Sequence, residues 1–102
     1  MDPTTSLHPT PQGWLLDSAL APHAAAYAAY LRRGRYAATT VKGYVAGIAH
    51  FARWMTACYL PVRLLNEHTV EQFLCNHLPR CDCPAPVMRV HADLRAALGH
   101  LL

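Results

Sequence analysis

The sequence predicts an all-α domain, a compact bundle of four helices preceded by a disordered N-terminal arm. Three observations predict it. Apolar residues recur at three- and four-residue steps over four stretches, and no stretch alternates as a strand would. Prolines and capping residue types punctuate those stretches at their starts and ends. The chain has 102 residues, 53% of them apolar, which is the size of one small domain even though 17 of the apolar residues are alanine.

The arm is Met1 to Gly13, where Pro3, Pro9 and Pro11 stand among Thr, Ser and His. The domain then runs over 14–102, and Trp14 is expected to dock on it. A first helix is predicted from Pro22 to Arg33, with Tyr27, Ala28 and Leu31 in its apolar stripe and Gly34 as the left-handed residue after its last turn. Arg32 and Arg33 complement the negative end of its dipole, and DNA contact is the competing reading of the pair.

A second helix covers Ala37 to Cys58, with Val41, Tyr44, Val45, Ile48, Phe51, Ala52 and Met55 on its stripe. Its first turn is loosely signalled, because Thr39 and Thr40 are capping types and Ala37 is not. Asn66 caps a third helix, Glu67 to Leu78, whose inward residues are Val70, Phe73, Leu74 and His77 and whose stop is Pro79. After the break Pro79 to Pro86, a fourth helix takes Val87 to the end, with Val90, Leu94, Ala97, Leu98 and Leu101 inward. Its apolar pattern is unfinished at Leu102, as in a piece of a longer protein.

Composition narrows the function classes. No run of about 18 apolar residues is present, so no membrane span is expected. The opening MDPTTSLHPT has neither the basic nor the apolar region of a secretory signal, which makes the cytoplasm the expected location. A net charge of +3 biases the chain toward anionic partners.

The second helix carries the candidate site. Lys42, Ala46, His50 and Arg53 fall near one line of it, with Gly43 and Gly47 alongside, so a small and basic face opposes the apolar stripe. Interior glycines cost a helix roughly 1 kcal/mol each against alanine, which asks for a close approach by something: a DNA backbone, or another helix in the case of Gly47. Thr40 and the free amides of the helix start form a natural phosphate contact. Arg89 and Arg95 of the fourth helix project away from its stripe and complete the DNA set, although Asp93 offers Arg89 an intrahelical partner.

Cys75, His77, Cys81 and Cys83 lie close together in CNHLPRCDC, and four soft ligands suffice for zinc. The spacing lacks the two-residue gaps of zinc knuckles, so free thiols in a connection are the reading adopted and zinc the alternative. Cys75 is expected to be partly buried and Cys58 to sit in or near the core. No cofactor is expected.

The series YLRRGRY, TTVKGYVAGIAHFARWM, LLNEHTVEQFLCNHL and VMRVHADLRAALGHLL resembles the N-terminal core-binding (SAM-like) domain of tyrosine recombinases, the phage integrases. In that family the second helix opens as Thr, apolar, basic, x, Tyr or Leu and closes as Phe-x-x-Trp. Thr40, Val41, Lys42 and Tyr44 fit the opening, and Phe51 and Trp54 fit the close. Ala37 departs from the family's serine at the helix entrance. The resemblance implies a four-helix domain that clamps duplex DNA beside the strand-exchange site and touches neighbouring protomers in a synaptic complex. It also implies that catalysis belongs to a second domain beyond Leu102 and that this segment has no catalytic residue; the isolated domain is expected to be a monomer. The rival reading is a helical protein-interaction module that uses the Tyr27, Tyr30 and Leu31 edge.

Overall fold

A helix of 20 residues, Ala38–Ala57, runs through the middle of the protein, and the other elements are arranged around it. The computed structural model describes residues 9–80 and 91–101. Within them the α-helices are α1 (Pro9–Leu16), α2 (Ala24–Arg33), α3 (Ala38–Ala57), α4 (Glu67–Gln72) and α5 (His91–Leu101). No strand occurs among the described residues. Short 3₁₀ turns at Ala21–His23 and Val62–Leu64 lead into α2 and α4, and α4 continues as a π-helical turn, Phe73–His77.

The apolar stripe of α3 is buried as its periodicity predicts, with Val41, Val45, Ile48, Phe51, Ala52 and Met55 all inside. The burial goes further than the stripe. Six consecutive residues, Gly47 to Ala52, are buried, and at 3.6 residues per turn they go right round the helix. α1, α2, α5 and the π-helical turn all pack on it. Gly47, Ala49 and Ala52 keep that section thin, which assigns Gly47 to close helix packing.

α1 corrects the N-terminal expectation. Pro9 to Gly13 belong to a helix, not to an arm, so the folded domain starts at least five residues before Trp14. Both prolines lie in the first turn, where a missing N–H leaves no bond unmade. Leu15 is fully buried against the core, which anchors the helix. The rest of the expected arm, 1–8, lies outside the described residues.

The helix ends also differ from expectation. Gly34 has an ordinary negative φ, and Arg35 takes the left-handed position with φ 64°. Tyr36 N–H donates to Leu31 C=O (3.3 Å) and Arg35 N–H to Arg32 C=O (3.0 Å), the paired bonds of a Schellman ending. α3 ends the same way: Leu60 N–H donates to Met55 C=O, Tyr59 N–H donates to Thr56 C=O, and Tyr59 is left-handed at φ 53°. Both left-handed positions hold residues with a Cβ, where glycine would avoid the steric penalty.

α4 starts as its sequence requires. Asn66 Oδ1 accepts from Thr69 N–H and Thr69 Oγ1 accepts from Asn66 N–H, both at 3.0 Å, so the two side chains satisfy two of the free amides of the first turn. The predicted single helix to Leu78 instead widens into the π-helical turn, which seats Phe73 and Leu74 in the core. Of the predicted fourth helix, 91–101 are described and Val87 to Val90 lie outside the described residues. Leu94, Ala97 and Leu98 are buried as expected. Tyr27 Oη donates to Ala97 C=O at 2.6 Å, tying α2 to α5 in the interior.

Tyr59 is 93% exposed, so replacing it by glycine relieves the left-handed strain without opening the core. Tyr59→Gly is expected to raise stability by about 1 kcal/mol, measured by urea unfolding. Burial, with smaller contributions from Tyr44 and Tyr36, holds the Tyr27 phenol well above its ordinary pKa. The unfolded chain releases that proton near pH 10 while the folded chain retains it. Stability from this group is therefore full below pH 10 and declines as pH rises beyond it. Tyr27→Phe is expected to cost about 1 kcal/mol at neutral pH and to flatten the alkaline decline, both readable from unfolding curves across pH.

Candidate nucleic-acid interface

The turn from α2 into α3 gathers positive charge. Arg32, Arg33 and Arg35 end α2, Lys42 lies in the second turn of α3, and all four are exposed. Ala37 caps α3 in an extended conformation with no side-chain bond, and the first intrahelical bond is Val41 N–H to Ala37 C=O at 2.9 Å. The amides of the first turn are free of helical partners, and the positive end of the α3 dipole lies at this start. Thr39 is exposed and Thr40 half-buried at this helix start.

The line expected along α3 does not continue as one surface. Lys42 is exposed and Gly43 and Ala46 are half-buried beside it, but His50 is completely buried and is corrected from a DNA contact to a core residue. Its ring packs edge-on to Phe73 at 5.2 Å, because the π-helical turn covers this side of α3. Arg53 is half-buried, with its guanidinium carbon 4.7 Å from the centre of the Trp14 ring. Eleven residues of helix separate it from Lys42, about 16 Å along the axis.

Arg95 is also reassigned. It forms an ion pair with Glu71 that links α5 to α4 on the surface. The hydrogen bond from Arg95 lowers the pKa of the Glu71 carboxyl, and the same bond raises that of Arg95. Its charge is therefore matched within the fold. Arg89 lies outside the described residues.

Beside the basic turn lies an aromatic groove. Tyr30, Tyr36, Arg33, Gly34 and His100 line it, and Tyr44 closes one side with its ring centre 5.8 Å from that of His100. Tyr36 Oη and His100 Nε2 are 3.1 Å apart. A Cβ on Gly34 would stand 3.1 Å from Tyr36 Cε2, so a larger residue there would ask the Tyr36 ring to shift by a few tenths of an ångström. The groove continues over Leu20, Val62 and Leu65. Tyr27 and Leu31 are buried, as their place on the apolar stripe predicts, so of the edge that the rival interaction reading would use only Tyr30 is exposed.

The cysteines depart from expectation too. Cys58 and Cys75 are both exposed, and Cys75 Sγ donates to Glu71 Oε2 at 3.7 Å. Cys81 and Cys83 lie outside the described residues. Among the described residues no three metal-binding side chains come together. His77 meets His50, a pairing the sequence did not signal, with their Nε2 atoms 3.3 Å apart.

The basic turn had a signal that helix periodicity does not carry. Between Asp17 and Glu67 there is no acidic residue, yet Arg32, Arg33, Arg35, Lys42, Arg53 and Arg63 fall there, six of the nine cations of the chain. Charge is thus segregated along the sequence before folding places it. No family model, curated protein or solved structure matches the chain.

Proposed function

We propose that this protein binds duplex DNA through the α2–α3 turn, as the N-terminal core-binding domain of a tyrosine recombinase would. The observation that carries the reading is the exposure of Arg32, Arg33, Arg35 and Lys42 around the open start of α3, in a stretch free of acidic residues. Phosphate groups fit such a corner, with charge from the side chains and hydrogen bonds from the first-turn amides. Thr40, Gly43 and Ala46 form the adjoining surface on which a groove edge can settle. The order of helices and the Thr40 to Tyr44 and Phe51 to Trp54 patterns support the recombinase family, in which other protomers are partners and catalysis belongs to a separate domain.

A second reading has one observation in its favour. The aromatic groove with Tyr30 half exposed offers a partner protein an apolar surface. The two readings part in their response to salt. Four phosphate contacts give a slope of log affinity against log salt of about −3.6, whereas an apolar contact gives a slope near zero.

Fluorescence anisotropy with a labelled duplex tests the proposal. Binding is expected with a dissociation constant of ~10⁻⁴ to 10⁻⁶ M at physiological salt. Arg33→Glu and Lys42→Glu are each expected to weaken it and to reduce the salt slope by about 1, while Arg95→Glu leaves the slope unchanged. Arg35→Gly separates the two roles of that residue: the left-handed strain is relieved, so the fold gains stability while DNA affinity falls. Binding that ignores salt and the substitutions at Arg33, Arg35 and Lys42 would exclude this surface.

A further inference from the structure

The aromatic groove beside the basic turn combines open ring surface with a cation, a pairing that suits a flat ligand carrying negative charge. We propose that it holds one unpaired nucleobase, stacked on Tyr30 and Tyr36, with a phosphate of the same strand on Arg33. The inference rests on the reading that the α2–α3 turn binds DNA, and adds to it a site for a base that has left the duplex.

Four rings from four parts of the chain meet there. Tyr30 comes from α2, Tyr36 from the α2–α3 turn, Tyr44 from α3 and His100 from the last turn of α5. The His100 ring is the common neighbour, with its centre 5.8 Å from that of Tyr30, 5.3 Å from that of Tyr36 and 5.8 Å from that of Tyr44. Tyr36 stands edge-on to it at 76°, and the contact between Tyr36 Oη and His100 Nε2 holds the far end of the ring. The near end is held by the bond from Tyr36 N–H to Leu31 C=O. A ring fixed at both ends loses little freedom when a ligand stacks on it.

The core leaves these rings open. Tyr30 is 50% exposed and Tyr36 38%, whereas Tyr27, Phe51 and Phe73 are inside. The groove has a volume of about 480 Å³, within the roughly 300–1,000 Å³ of clefts that take small ligands. That is room for one nucleotide.

Charge decides the occupant. Arg33 lines the groove, and among the described residues no acidic side chain pairs with it. None of the lining residues is acidic, and Arg35, next to Tyr36 in the chain, is exposed as well. A nucleotide meets both demands, since every base has a π-face for the rings and its strand supplies a phosphate for the guanidinium. The base has to be unpaired. In a duplex both its faces are covered by its neighbours, and it reaches a side-chain ring only after leaving the stack.

Fluorescence anisotropy on the unaltered chain tests the site with labelled probes: a blunt duplex, the same duplex with a short thymidine overhang, and one whose overhang keeps its sugars and phosphates but lacks bases. The thymidine overhang is expected to tighten binding about five- to a hundredfold, the effect of one stacked base, and the base-free overhang to return it to the blunt-duplex value. Tyr30→Ala is expected to abolish the gain and Tyr30→Phe to keep it, with the blunt duplex bound as before in both. Equal affinity for the blunt and thymidine probes, a gain kept by the base-free overhang, or a gain that survives Tyr30→Ala would each overturn the proposal, and the first would return the groove to a protein partner. The comparison of overhangs needs no variant, so it stands even if a substitution disturbs the fold. Failure of the turn is read separately, from the blunt duplex alone: its loss of salt dependence would remove the turn, while a gain that requires bases and Tyr30 would still support the groove.

Discussion

The structure depends on one constraint: the middle of α3 is buried around its whole circumference. A helix in that position has no solvent face to spend on charge, so it carries Gly47, Ala49 and Ala52, which let neighbours come close, and a single polar residue, His50. Burying an imidazole without a partner is costly. His77 on the π-helical turn meets it, and Phe73 packs on both rings. α1 covers the side of Arg53, whose guanidinium lies over Trp14 instead of reaching into solvent. What stays open is the first part of α3, and there the exposed Thr39 and Lys42 stand beside three arginines.

The positions of α2, α3 and α5, and the start of α4, were legible in the sequence because each has an apolar stripe at helical spacing and at least one clear boundary. Asn66 and Thr69 form the cap that their residue types announce. α1 was not legible, since prolines read as breakers unless it is known that they occupy a first turn. Nor was the left-handed residue after α2: Gly34 is the natural choice by residue type, but the paired bonds of the ending run from Arg35 and Tyr36, so the left-handed position is Arg35.

The candidate site was half legible for a similar reason. Periodicity places Lys42, Ala46, His50 and Arg53 on one line and says nothing about what covers that line. In the fold the π-helical turn covers His50, Trp14 takes Arg53, and Glu71 takes Arg95. Of the cations that remain open, Lys42 belongs to the expected DNA set, while Arg32 and Arg33 are explained equally well by the dipole of α2. The stretch from Asp17 to Glu67, rich in arginine and without acids, favours a shared role for them that helix-by-helix reading does not reveal.

Under the proposed function, DNA meets the protein at the α2–α3 turn rather than along the length of α3. Backbone amide NMR during a duplex titration tests it most directly. The largest shifts are expected between Arg32 and Gly43, vanishing at high salt and sparing the section from Gly47 to Ala52. Shifts centred on that enclosed section or on Arg53 would contradict it.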